Sequence, residues 1–126
     1  MSSSPSEIVR RYFAAWPAGD RAAVEALVAA DFHFTSPLDN RLDRDTFFRR
    51  CWPNSESMAS LDLERIVVDG DTVFVTYSLT EKDGRRFRNS EVITVRGRQV
   101  VDVEVYFGWG IPHKAPTGGF IDKENA

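Results

Sequence analysis

A chain of 126 residues with 42% hydrophobic and 28% charged side chains has the size and composition of one globular domain with a core of its own. Its formal net charge of −3 offers no concentrated excess of Lys and Arg, which argues against a nucleic-acid surface, and no apolar run approaches the length of a membrane span. A single cysteine, Cys51, and two isolated histidines exclude an internal disulfide and the usual zinc spacings; no metal or other cofactor is implied, and a cytoplasmic location is expected.

The N-terminus reads as a capping box, with Ser4 as N-cap, Pro5 as first helical residue and Glu7 three positions on. Ile8, Val9, Tyr12, Phe13, Ala15 and Trp16 then recur at helical spacing until Pro17 and Gly19 stop them. Asp20 caps a second predicted helix, "RAAVEALVAA", that runs out at Asp31. "FHFTS" alternates as a short strand ended by Pro37; Phe34 and Ser36 share its inward face and His33 points away. "PLDNRL" reads as a loop in which Asp39, Asn40 and Arg41 serve as turn and cap residues. Asp43 caps a third helix carrying Phe47, Phe48, Cys51 and Trp52, which Pro53 terminates.

The second half changes period. Runs near 61–68, 72–81, 86–96 and 99–107 alternate apolar with polar, and "DGD", "KDGR" and "RGR" between them are hairpin turns, so an antiparallel meander is predicted. Its inward sets are Val73, Val75, Tyr77 and Leu79, then Phe87, Asn89, Glu91, Ile93 and Val95, then Val101, Val103, Val105 and Phe107. Helices gathered before such a sheet indicate an α+β domain over 1–109, with 110–126, "GIPHKAPTGGFIDKENA", as an irregular tail.

Asn89 and Glu91 break an otherwise apolar face. Either they line a pocket, or Glu91 pairs with an arginine such as Arg88 or Arg41, or a bulge turns it outward. Trp16, Phe34, Phe48, Trp52, Tyr77 and Phe107 exceed what one small core needs, so some of them are expected to wall a cavity. Phe74 and Tyr106 fall on the outward face, which predicts a homodimer through the outer side of the sheet.

The element order, with "YFAAW", "GD", "AD" and "FTSP" at the front and "VYF" at the end, resembles the nuclear transport factor two-like superfamily over residues 5–109, in its ketosteroid isomerase and polyketide cyclase branch. The resemblance implies a cone in which a curved antiparallel sheet wraps around the N-terminal helices and leaves an internal apolar pocket. It also implies a range of functions, from isomerases, dehydratases, cyclases and epoxide hydrolases to domains without catalysis. Ketosteroid isomerases combine an Asp base with a Tyr and a protonated acid that hold an enolate oxygen. Motif to motif, the tyrosine falls on Tyr12, the protonated acid on Glu91 and the base on Ser36. A neutral serine does not take a proton from carbon unaided, so steroid isomerisation is expected to be weak, and Asp39 is the nearest replacement. The expected function is binding of a small, largely apolar organic molecule. Tyr12 and Glu91 would donate to it, Ser36 and Asn89 would orient it, and the chemistry would be of the isomerase, dehydratase or cyclase kind. The alternative is a non-catalytic ligand-binding or dimerising module.

Overall fold

Three aspartate or serine caps set the helices. In the computed structural model, which describes residues 4–121, the Ser4 hydroxyl accepts from the Glu7 N–H at 3.4 Å and starts α1, Pro5–Ala15. Asp20 accepts from the Ala23 N–H at 3.1 Å and starts α2, Arg21–Leu27, and Asp43 accepts from the Thr46 N–H at 2.9 Å and starts α3, Arg44–Cys51. Each cap satisfies an N–H that the first helical turn leaves without a partner.

Six strands follow this frame: β1, Val28–Ser36; β2, Asp39–Asp43; β3, Met58–Asp69; β4, Thr72–Glu81; β5, Arg86–Arg96; and β6, Gln99–Ile111. They form one sheet in the order β2-β1-β6-β5-β4-β3. Every neighbouring pair is antiparallel except β1 and β6, which run parallel because the last strand of the meander returns alongside the first strand of the chain. The sheet is therefore mixed, an α+β architecture in which α1 packs against β3, β4, β5 and β6. Among the described residues no helix is long and apolar enough to cross a membrane.

Four expectations are corrected. The second helix stops at Leu27 rather than near Asp31, because Val28 turns to extended backbone, φ −99° and ψ 126°, and β-branched Val28 with Ala29 packs into the core as strand. "PLDNRL" is not a plain loop: Asp39–Asp43 pairs with β1, and Arg41 takes a positive φ of 47° within that short hairpin. A 3-10 turn, Trp52–Ser57, carries the chain past Pro53 into β3. Finally, β6 continues to Ile111, beyond the boundary expected at residue 109; the last tail residues, 122–126, lie outside the described ones.

Alternation places Val73, Val75, Tyr77 and Leu79 of β4 and Asn89, Glu91, Ile93 and Val95 of β5 on the buried face, with Phe87 half-buried at its end. On β6 it fails at both ends. Thr94 pairs with Asp102 but Val95 with Val100, so the extra residue Val101 is displaced and Val100 takes the core position. At the other end Phe87 pairs with Gly110 and Asn89 with Phe107, a second bulge, and Phe107 is left 54% exposed.

Candidate active site

A cavity of about 540 Å³ opens between α1, α3 and the concave face of the sheet. That is the size of small-molecule sites in general. Phe13, Trp16, Phe34, Phe47, Leu79 and Phe87 supply much of its apolar wall.

At its floor, alternation on two adjacent strands brings three polar side chains into one hydrogen-bonded chain. The Tyr77 hydroxyl donates to Glu91 Oε2 at 2.6 Å, the Asn89 amide donates to the Tyr77 oxygen at 3.2 Å, and the Gly108 N–H donates to Asn89 Oδ1 at 3.1 Å. Register explains the meeting: Tyr77 sits opposite Asn89, and Glu91 is two residues along on the same face. The bulge explains the last link, since it turns the Gly108 N–H toward Asn89; a Cβ on Gly108 would overlap the Arg88 carbonyl oxygen. All three donors point the same way along the chain, toward the carboxylate.

Glu91 is 7% exposed and lines the cavity, and its one side-chain hydrogen bond among the described residues is made by Oε2, which leaves Oε1 without a protein donor. Burial raises its pKa from 4.5 to about 7, against the smaller downward pull of the Tyr77 hydroxyl. The carboxyl is thus poised near neutrality, where an acid or base works best. Neither proposed arginine partner reaches it. Arg88 points to the outer face and binds Glu64 through two contacts of 2.7 and 3.1 Å, while Arg41 lies 3.2 Å from His33 Nδ1.

Tyr12 lines the same cavity from α1, in edge contact with Phe13 and Trp16. Burial raises its pKa well above the ordinary 10.0, the Glu91 charge adds to this, and the Trp16 side chain offsets it in part. It is close enough to feel that charge, yet Glu91 takes its hydrogen bond from Tyr77.

Ser36 and Asp39 form a second polar group on the rim, across the β1–β2 turn. Ser36 Oγ donates to Asp39 Oδ2 at 2.8 Å and accepts from the Leu38 N–H at 3.0 Å. Arg50 lies 2.9 Å from Asp39 Oδ1, aligned as an ion pair rather than as a directed hydrogen bond. Cys51 also lines the cavity, and its thiol is pushed up to about 11, chiefly by burial and then by Asp39, with Arg50 opposing and Glu91 adding a little.

The structure therefore gathers Tyr12, Trp16, Phe34, Ser36, Asp39, Tyr77, Asn89, Glu91 and Phe107 around one cavity. Phe48 and Trp52 do not join them. Helical phase turns Phe48 under the guanidinium groups of Arg21 and Arg44, 5.2 and 5.0 Å from its ring centre, and Trp52 packs against Trp16 with 4.9 Å between ring centres, outside the lining. His33 is likewise outside the cavity, and His113 rests 5.1 Å from the Trp109 ring. Among the lining residues that the sequence reading does not single out are Glu81 and Gly108. Glu81 continues the Tyr77–Leu79 alternation by one step, and a glycine inside a strand run marks a bulge, so both carry a signal. No group of His, Cys, Asp and Glu side chains among the described residues could hold a metal ion.

A sequence model described as a SnoaL-like domain matches residues 9–103. Among solved structures, a protein from Kribbella flavida superposes with a TM-score of 0.76 at 19% identity, over 85% of this chain and 88% of its own. A second Kribbella flavida protein, provisionally assigned as a ketosteroid isomerase, gives 0.71 at 18% identity over 94% and 88%. A protein of Sinorhizobium meliloti, provisionally assigned as a polyketide cyclase, gives 0.67 at 20% over 79% and 93%. At these identities the likeness establishes the fold. A search of curated protein sequences finds no match.

Proposed function

Proceeding from a chain that belongs to the SnoaL-like domain family, we propose that it binds a small, largely apolar organic molecule in its cavity and moves a proton on that molecule with Glu91. The observation that carries this reading is the free Oε1 of a carboxyl buried in an aromatic cavity and poised at about 7. At neutral pH both protonation states of such a group are populated, so it can accept a proton from one atom of a ligand and return it to another, the step shared by isomerases, dehydratases and cyclases.

The neighbouring groups have distinct parts. Tyr77 spends its hydrogen, and Asn89 one of its two amide hydrogens, within the chain that ends on Glu91 Oε2, so their first part is to position the carboxyl. Tyr12 is the phenol left to donate to a ligand oxygen. Ser36 gives its hydrogen to Asp39 and is not a base; Asp39, tied to Arg50, sits at the rim as a second acceptor.

Proton transfer is read most directly as deuterium uptake. An apolar cyclic ketone incubated in D2O with the protein should exchange the hydrogens beside its carbonyl, and Glu91→Gln should slow the catalysed exchange roughly a hundredfold or more, the usual loss with a positioned acid/base. Binding of the ketone without exchange would leave a carrier, the non-catalytic alternative. Exchange untouched by Glu91→Gln would remove the carboxyl from the chemistry.

We further propose a homodimer through the outer face of the sheet. Val67, Phe74 and Val92 form one continuous cross-strand row there, and Phe74 and Tyr106 are 44% and 55% exposed. Phe74→Asp would bury an unpaired charge at that contact. Light scattering should then show the wild type as a dimer and the variant shifted to monomer; a monomeric wild type at high concentration ends the proposal.

A further inference from the structure

The hydrogen bonds that build the cavity leave it with an uneven polarity. Following each hydrogen to its acceptor shows what remains for a ligand. Tyr77 spends its hydrogen on Glu91, Asn89 gives one amide hydrogen to Tyr77 while its oxygen accepts from the Gly108 N–H, and Ser36 gives its hydrogen to Asp39. Ser57, also in the lining, gives its own to the Asn54 carbonyl at 3.0 Å. Three carboxylates line the space, Asp39, Glu81 and Glu91, and no Lys, Arg or His among the described residues does. Two of their oxygens are unanswered. Glu91 Oε1, on a lining side chain more than nine-tenths buried, has no protein donor, and Glu81 Oε2 is buried with no hydrogen-bond partner. Tyr12 keeps its hydroxyl hydrogen for a ligand, but the charged side chains that line the cavity among the described residues are all carboxylates, and with walls of aromatic rings that is the inverse of an anion site. It is complementary to a cationic nitrogen, which satisfies carboxylate lone pairs and is attracted to ring faces.

We propose that the natural ligand is an organic amine, with its ammonium group against Glu91 Oε1 and its apolar body along Phe13, Trp16, Phe34 and Phe87. This rests on the cavity being a ligand site, as argued above, and adds the chemical class of what enters it. The groups facing Glu91 support the pairing: Tyr12 from α1 and Tyr77 from β4 are phenols held above their ordinary pKa, Cys51 from α3 is a thiol at about 11, and Val105 from β6 is apolar. None of them is charged near neutrality, so an ammonium entering the cavity meets the Glu91 carboxylate as its counter-ion and favours its ionised form, the form that accepts a proton.

A matched series of probes decides it. Binding of 2-phenylethylamine, 2-phenylethanol and 3-phenylpropionate to the full chain is measured by calorimetry at about pH 8, where both the amine's charge and the carboxylate are populated. The amine should bind about tenfold tighter than the alcohol, as a charge-assisted bond in a dry site does, and the propionate should not bind. Glu91→Gln should remove the amine's advantage over the alcohol. As a readout independent of that variant, the amine should move the Glu91 carboxyl carbon resonance of the wild type to its ionised position at neutral pH, and the alcohol should not. An alcohol bound as tightly as the amine, or an amine preference that survives Glu91→Gln, overturns the amine while leaving the cavity as a site. Filling the cavity with Leu79→Trp should abolish all binding. Binding that persists in Leu79→Trp, or absence of binding by any probe at millimolar concentration, overturns both.

Discussion

The floor and the rim of the cavity are built by different means. On the floor, Tyr77, Asn89 and Glu91 sit on central strands paired without a register shift, and each hydrogen bond passes to the next in one direction. On the rim, Ser36 and Asp39 sit across a register shift in the β1–β2 pair, and Phe107 and Gly108 sit in the β5–β6 bulge. In the proposed reaction the floor would hold the proton and the rim would admit the ligand, and the rim depends on irregular backbone that a few atoms keep in place.

The link between the two is Gly108, and breaking it should have the largest effect. A methyl group there meets backbone, the Arg88 carbonyl oxygen, which cannot swing aside like a side-chain tip. Gly108→Ala should therefore cost about 4 kcal/mol, among the larger losses for one substitution, and lower the melting temperature by more than about 10 °C. Wherever the bulge relaxes to make room, the N–H leaves Asn89 Oδ1, and the Asn89 side-chain amide resonances should move in the same variant. A stable Gly108→Ala protein with unmoved Asn89 resonances would show the floor to be independent of the bulge.

The next largest effect belongs to the floor alone and depends on pH. Glu91 has its pKa raised from 4.5 to about 7 by burial, so between these values the folded protein holds a proton that the unfolded chain has released. The stability of the protonated form is fully present below about 4.5, declines as pH rises, and is lost once pH passes about 7. Glu91→Gln keeps an acceptor for Tyr77 and removes the ionisable group. It should be stabilising by roughly 2 to 3 kcal/mol at pH 8 and nearly neutral at pH 4.5, as urea unfolding at the two pH values would measure. A gap of the same size at both would mean that Glu91 is not buried as a titrating acid.

The same contrast explains how much of the molecule is legible in its sequence. A two-residue period is a local signal, so it alone locates the buried faces of β4 and β5 and singles out Asn89 and Glu91. The pairing of Tyr12 with Glu91 is what the family resemblance implies; neither it nor the period shows that Tyr77, directly across from Asn89, supplies the bond to Glu91. Register between strands is a tertiary property, and alternation within each strand leaves it open. Bulges escape for a related reason. Val101 is apolar and in phase with Val103, and only the pairing with β5 shows that an extra residue has displaced it in favour of Val100. Asp39 is legible as a turn residue and as the nearest replacement for the base but not as half of a hydroxyl–carboxylate pair, since the strand pairing of "DNRLD" with β1 brings Ser36 and Asp39 together.

The smallest effect should come from the rim's polar pair. Ser36→Ala removes one hydrogen bond to Asp39 and one from the exposed Leu38 N–H, which water can replace, while Arg50 still holds Asp39 from the other side. The cost should be about 0.5 to 1 kcal/mol, the net worth of an ordinary hydrogen bond in a partly solvated place. Exchange at a bound ketone should be nearly unchanged, because Ser36 already spends its hydrogen on Asp39 and has no basic lone pair of consequence. Asp39→Asn is the sharper companion. It strips Arg50 of its charge partner at the mouth, so it should weaken binding of an amine more than that of a neutral alcohol, while leaving the Glu91-dependent exchange within about threefold of the wild type if the floor alone moves the proton. Loss of exchange in Asp39→Asn with Ser36→Ala intact would move the base from floor to rim and make the β1–β2 turn the seat of the chemistry.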